Sequence, residues 1–212
     1  MYLLTPLAAK YLAALDIAVD TPIREAKVAN LKAEPLRHNR YMNTAIMLFE
    51  CACEASARYR LEEIYPERFF KKQPFVMPNK WKQIPDSAVL ISRLGADGWE
   101  RHLFAFEIQH DSNWTTGDIR QKVRHYLTIE EEGMHISHLG LPNDTSLWVL
   151  FFATQGETHA RKIKRATEEE MKAQGKRDVN LFRIAPFTGE NVYVEPVWQR
   201  PFRQDFRPLL IL

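Results

Sequence analysis

The chain predicts an α/β fold with a mixed central sheet flanked by helices, and three observations carry that expectation. Two segments rich in Val, Ile, Leu and Phe lie either side of Gly95-Ala96-Asp97-Gly98, the pattern of a β-hairpin with a tight turn. Residues 147–154 form a continuous apolar run of strand length, as a buried central strand does. Amphipathic helical stretches separate these pieces, so the order is helix, hairpin, helix, strand, helix, strand. An antiparallel hairpin followed by strands on helical crossovers makes a mixed sheet.

Residues 1–35 read as a small appendage. Thr5 caps a short helix with Pro6 in its first turn, and a connecting stretch with Pro22 and Pro35 follows. The main domain is expected over 36–212. Its first element is a long helix over 39–59, where Met42, Ala45, Ile46, Phe49, Ala52 and Cys53 keep helical spacing. A Pro- and Lys-rich connection over 66–81 leads to the hairpin.

If Ala96 and Asp97 form the hairpin loop, the register follows. Arg93 faces Glu100 as a cross-strand ion pair, and Asp86 faces Glu107. Both faces are apolar, with Val89, Ile91, Phe104 and Phe106 on one and Ala88, Leu90, Leu103 and Ala105 on the other. A hairpin covered on both faces sits in the middle of a layered fold. A helix over 115–131 turns Ile119, Val123, Tyr126 and Leu127 inward and Gln121, Arg124 and Glu131 outward. The charged stretch 158–174 is a further helix, and 180–185 a short strand. The Pro-rich tail is expected to be irregular, with Tyr193-Val194-Glu195 as an edge strand.

Composition sets bounds. With 212 residues, 45% hydrophobic and 26% charged, the chain suits a globular protein with a full core. A net charge of +2 does not by itself mark a nucleic-acid binder, but basic residues cluster at 120–124 and 161–165. Cys51 and Cys53 lie two apart on one helix and point away from each other, which disfavours both a disulfide and a zinc pair. His135 and His138 lack the companion ligands of a zinc site. Reduced thiols, no signal peptide and no apolar run near the roughly 18 residues of a membrane span give the expectation of a cytoplasmic protein without membrane contact.

Asp86 and Glu107 on neighbouring strands make a site for a hard divalent cation. The Ile108 carbonyl is a third oxygen, and Glu50 or Glu54 on the first long helix are candidates to complete the shell. Glu107 at the end of a buried strand is costly unless it is paired, metal-bound or at a cleft. Gln109 points to the same side as Glu107 because strand side chains alternate. Lys122 and Tyr126 are one helical turn apart on the following helix. They are either cleft residues, a positive charge and a phosphate contact, or a solvated lysine beside a core tyrosine. His110, Asp111, Asn113 and Trp114 would line the mouth of the cleft, with Trp114 either stacked on a base or packed. Arg120, Arg124, Arg161 and Lys164 are candidate DNA contacts.

The run Leu36-Arg37-His38-Asn39-Arg40-Tyr41-Met42-Asn43-Thr44-Ala45, then Ile84-Pro85-Asp86, Glu107-Ile108-Gln109, and Lys122 with Tyr126, resembles the plasmid replication-relaxation proteins. These are a branch of the PD-(D/E)xK, or restriction-endonuclease-like, superfamily. The resemblance covers roughly 36–187, and Tyr2-Leu3-Leu4-Thr5 looks like the wing of a winged helix whose recognition part is missing. It implies a metal-dependent DNA endonuclease or nickase acting on plasmid or mobile-element DNA, with Mg2+ or Mn2+ as cofactor. A second copy or other mobile-element proteins are the implied partners. In the usual motif the second residue after the Glu is Lys; here it is Gln109. That departure keeps an alternative open, a catalytically inactive nuclease fold that binds DNA or a protein partner.

Overall fold

The hairpin supplies the second and third strands of a seven-stranded mixed sheet. The computed structural model describes residues 33–110, 115–177, 179–187 and 192–210. The chain divides into two units, Met1–Asn39 and Arg40–Leu212. The short N-terminal helix and the wing segment lie outside the described residues.

In chain order the elements are α1 (Ala33–Glu54), β1 (Tyr59–Pro66), α2 (Glu67–Lys72), β2 (Phe75–Val76), β3 (Lys82–Gln83), β4 (Ser87–Gly95) and β5 (Gly98–Gln109). Then come α3 (Thr116–Glu131), α4 (Met134–Leu139), β6 (Ser146–Ala153), α5 (Glu157–Ala173), β7 (Phe182–Pro186), β8 (Trp198–Gln199) and β9 (Phe206–Arg207). The sheet order is β1-β4-β5-β6-β7-β8-β9, and β2 and β3 pair separately. β1, β4 and β5 form an antiparallel meander, β5, β6 and β7 run parallel, and β8 and β9 return antiparallel.

The β4–β5 register is the one the turn dictates. Gly95 faces Gly98, Arg93 faces Glu100 and Ser87 faces Phe106. Gly98 takes φ +121°, a value that β-carbon sterics deny to other residues. Arg93 Nη2 lies 2.6 Å from Glu100 Oε2.

The two faces of the sheet bury separate clusters. Ala88, Leu90, Leu103, Ala105, Val149 and Phe151 pack against Ile119, Val123 and Tyr126 of α3 and Ala160 and Ile163 of α5. On the other face Val89, Ile91, Phe104, Phe106 and Phe152 meet Met42, Ala45, Phe49 and Cys53 of α1. Phe106 is fully buried, edge-on to Phe49 and stacked with Phe152.

Three expectations change. The first long helix begins at Ala33, with Pro35 in its first turn where a missing N–H costs nothing, and it ends at Glu54 rather than 59. Tyr59 instead opens β1, an edge strand whose alternation is broken by a register shift between Leu61 and Glu63, and that break hides it from a period-two reading. Tyr193-Val194-Glu195 forms no strand: the Tyr193 ring is buried and its hydroxyl donates to the Ala45 carbonyl at 2.8 Å, while β8 and β9 supply the edge.

Cys51 and Cys53 are free thiols, one exposed and one buried. Among the described residues no helix is long and apolar enough to cross a membrane. His135 and His138 serve backbone carbonyls, those of Thr145 and Gln73.

Phe106→Ala should cost about 3–5 kcal/mol in urea-unfolding free energy, because a fully buried ring leaves a cavity between two rings. Arg93→Ala should cost no more than about 1 kcal/mol, since that pair is solvent-exposed.

Candidate active site

At the open end of the hairpin the ladder stops at the Ser87–Phe106 pair, two residues after Pro85, which has no N–H to donate. Beyond that pair a side chain continues the contact with β5: Asp86 Oδ2 accepts the Ile108 N–H at 2.7 Å. The N–H and C=O of one strand residue point to the same side, so the Ile108 carbonyl also faces Asp86. Asp86 itself lies in the bend just before β4, beyond the last β4–β5 pair, and is close enough for its charge to raise the Glu107 pKa.

Glu107 has no solvent exposure. Its partners come from two elements, α3 and β3. Tyr126 donates its hydroxyl to Oε1 at 2.6 Å, Gln83 Nε2 donates to the same oxygen at 3.0 Å, and the Lys122 ammonium pairs with Oε2. Gln83 in turn accepts from His125 Nδ1 at 3.1 Å, so a buried polar chain runs His125–Gln83–Glu107–Lys122.

α3 supplies Lys122, His125 and Tyr126 to this site because its start is fixed. Thr115 Oγ1 accepts the Asp118 N–H at 3.2 Å and Asp118 Oδ2 accepts the Thr115 N–H at 2.6 Å, a reciprocal cap. That phase turns Lys122, His125 and Tyr126 toward β5.

Burial pushes the Glu107 carboxyl above its ordinary pKa and Asp86 adds to the push, while Lys122 and Tyr126 oppose it. For Lys122, burial alone would lower the ammonium, but the charges of Glu107 and Asp86 outweigh it and hold Lys122 above the usual lysine value. Burial and then Arg124 lower His125, which keeps its ring neutral.

Gln109 is 4% exposed and, by strand alternation, shares the Glu107 side of β5. Its Nε2 has no hydrogen-bond partner. A buried amide N–H without a partner is rare and marks a place where a further oxygen is accommodated.

Asp86, Glu107, Ile108, Lys122 and Tyr126 are therefore brought together, with Gln109 beside them. Glu50 is not among them: it lies on α1, against the opposite face of the sheet, where burial raises the Cys53 thiol to about 12 and Glu50 and Glu54 add to that. Arg120 and Arg124 tie α3 to α5, through Glu169 and through Glu170 at 2.9 Å, so both expected DNA contacts serve intramolecular pairs. Lys164 donates to the Arg203 carbonyl, and Arg161 is exposed on α5. Asp111, Asn113 and Trp114 lie outside the described residues; His110 rests against Tyr41 at 5.1 Å between ring centroids.

Gln83 and His125 are the members the sequence reading missed. Their signals were short: Gln83 stands three residues before Asp86, and His125 one turn after Lys122 on the same helical side.

Asp86, Glu107 and the Ile108 carbonyl are the oxygens that would hold Mg2+ here, a cation bound through one or two carboxylates with its remaining positions left to water or phosphate. Among the described residues no group of three or more His, Cys, Asp or Glu side chains gathers to make a fuller cage. The orphaned Gln109 amide adds a donor for an oxygen ligand.

No family model matches the chain, and neither a curated protein nor a solved structure matches it significantly.

Lys122→Met leaves a buried carboxylate without its cation and should destabilise the fold by about 3–5 kcal/mol at neutral pH. A carboxyl whose folded pKa is raised favours the fold below its unfolded value and loses that contribution as pH rises through the folded value. The deficit of Lys122→Met should therefore shrink as pH falls toward about 4, where Glu107 is protonated in both states. Urea titrations across that range read it, and Lys122→Met/Glu107→Gln should recover most of the loss at neutral pH.

Proposed function

We propose that this chain is a metal-dependent DNA endonuclease or nickase on a restriction-endonuclease-like core. The observation that carries the reading is the meeting of Asp86, Glu107 and Lys122 at the end of β4 and β5. The order of elements supports it: α1, the antiparallel meander β1–β4–β5, α3, then β6 parallel to β5, as in that core. Plasmid or mobile-element DNA as the substrate rests on the motif order between residues 36 and 126 alone.

Asp86, Glu107 and the Ile108 carbonyl would hold Mg2+ or Mn2+, which when bound neutralises charge on the scissile phosphate and lowers the pKa of water. Each protein group has a separate task. Lys122 brings the positive charge that the usual motif places two residues after the Glu, here from the helix instead of the strand. Tyr126 and Gln83 fix the Glu107 carboxylate in one orientation, and neutral His125 holds Gln83 so that its amide N–H points at Glu107. Gln109 offers an N–H to a phosphate oxygen or to the attacking water but carries no charge.

A second reading has its own observation. Both Glu107 oxygens are already engaged by Lys122, Tyr126 and Gln83, as in a fold that keeps the nuclease shape for binding alone. Cleavage decides between them.

Supercoiled plasmid incubated with the chain and Mg2+ or Mn2+ should be nicked or linearised, and chelator should stop the reaction. Glu107→Gln and Asp86→Asn should each lower the rate by about a hundredfold or more, the scale expected when a preorganised charge is removed from a reacting centre. DNA binding should persist in both variants. Cleavage that survives Glu107→Gln would refute the assignment, and binding without cleavage under either metal would establish the second reading.

A further inference from the structure

A second constellation lies at the other end of the parallel strands, where β6 and β7 begin. A cavity of about 440 Å³ is lined there by Arg177, Arg183, Arg200 and Arg203, with Asn180 and Phe202. Ligand pockets of this size are ordinary, but four guanidinium groups around one are not.

Arg183 is the fixed member, 7% exposed. Its Nη1 donates to the Phe182 carbonyl at 2.9 Å, its Nη2 to Asn180 Oδ1 at 2.8 Å, and its guanidinium lies 4.2 Å from the centre of the Trp148 ring. None of these partners is anionic. Burial, then the like charges of Arg200 and Arg207, lower Arg183 to about 10.

Two carboxylates stand nearby among the described residues, and both have other duties. Asp205 pairs with Arg207 at 2.5 Å and reaches Arg200 only at 3.8 Å, and Glu168 accepts the Phe202 N–H at 2.8 Å. Arg200 Nε is buried without a partner. A buried cation among like charges costs stability unless an anion completes the site.

The rim adds a second kind of contact. Phe202 leaves 39% of its surface exposed and adopts φ +59°. A bulky residue in the left-handed region is strained, and such strain gathers at ligand clamps. Arginines recognise phosphate oxygens in pairs, and an exposed ring beside them suits the face of a nucleobase.

We propose that this pocket binds a phosphorylated nucleoside unit, its phosphate among the four arginines and its base on Phe202. The unit is either a free nucleotide or a residue of single-stranded nucleic acid, since both present the same chemistry. The site is separate from Glu107 and does not depend on the proposed hydrolysis.

Titration of the full chain with AMP, ADP, inorganic phosphate and a fluorescent thymidine oligonucleotide tests it. Arg177→Glu/Arg203→Glu changes two exposed residues, so the melting temperature should hold while affinity for the bound nucleotide species falls at least tenfold. Arg58→Glu/Arg101→Glu, the same charge change at the hairpin-loop end, should fall much less. Phe202→Gly relieves the backbone strain. It should keep or raise the melting temperature while weakening nucleotide or strand binding about fivefold or more, and leave phosphate binding unchanged. Tighter binding of the oligonucleotide than of AMP identifies a strand, and the reverse a free nucleotide. The proposal fails if none of these ligands binds at millimolar concentration, or if the two double variants lose affinity equally.

Discussion

An ionised carboxylate at the end of a central strand must be answered from every side, and much of this fold meets that demand. Glu107 is sealed from solvent between β4, β6 and α3. Removing a carboxylate from water costs several kcal/mol, which only a close cation and a full set of donors offset. Lys122, Tyr126 and Gln83 are that set. Their placement depends in turn on the Thr115 cap that phases α3, on the small β2–β3 hairpin that delivers Gln83, and on the apolar α3 face that seats the helix against the sheet. The charged contacts of α3 with α5, through Glu169 and Glu170, then keep Arg120 and Arg124 out of the cleft.

The parts of this arrangement that local rules specify were legible in the sequence. A two-residue loop between Gly95 and Gly98 forces one register, so the facing of Arg93 with Glu100 and of Ser87 with Phe106 followed from the turn alone. The helix over 116–131 and the strand over 146–153 lie within one residue of their expected bounds, because each has an apolar face or run with a clean period. β1 was not legible, since a bulge and two adjacent glutamates break its alternation at the sheet edge. Tyr193 misled because a β-prone triplet was recruited instead to cap the α1 face with its ring. Glu50 misled for a different reason. Helical periodicity gives the buried side of α1 but not which face of the sheet that side meets.

Charge shows the same division between local and tertiary information. The basic clusters at 120–124 and 161–165 supplied the candidate DNA contacts, yet Arg120, Arg124 and Arg165 are spent on glutamates of α5. Among the described residues, Arg183 and Arg203 have no carboxylate partner and Arg200 only a distant one; these residues are far from those clusters in sequence and are brought together by the pairing of β7 with β8. The carboxylate pair and the arginine pocket thus occupy opposite ends of the parallel strands.

The central claim, that Asp86 and Glu107 serve one divalent ion, is most directly tested by anomalous diffraction from crystals soaked in Mn2+. The account predicts a single strong peak within about 2.0–2.6 Å of oxygens from Asp86, Glu107 and the Ile108 carbonyl, with the Lys122 ammonium moved off the Glu107 carboxylate. Crystals at saturating Mn2+ that show no peak there, with the Lys122–Glu107 pair intact, would contradict it.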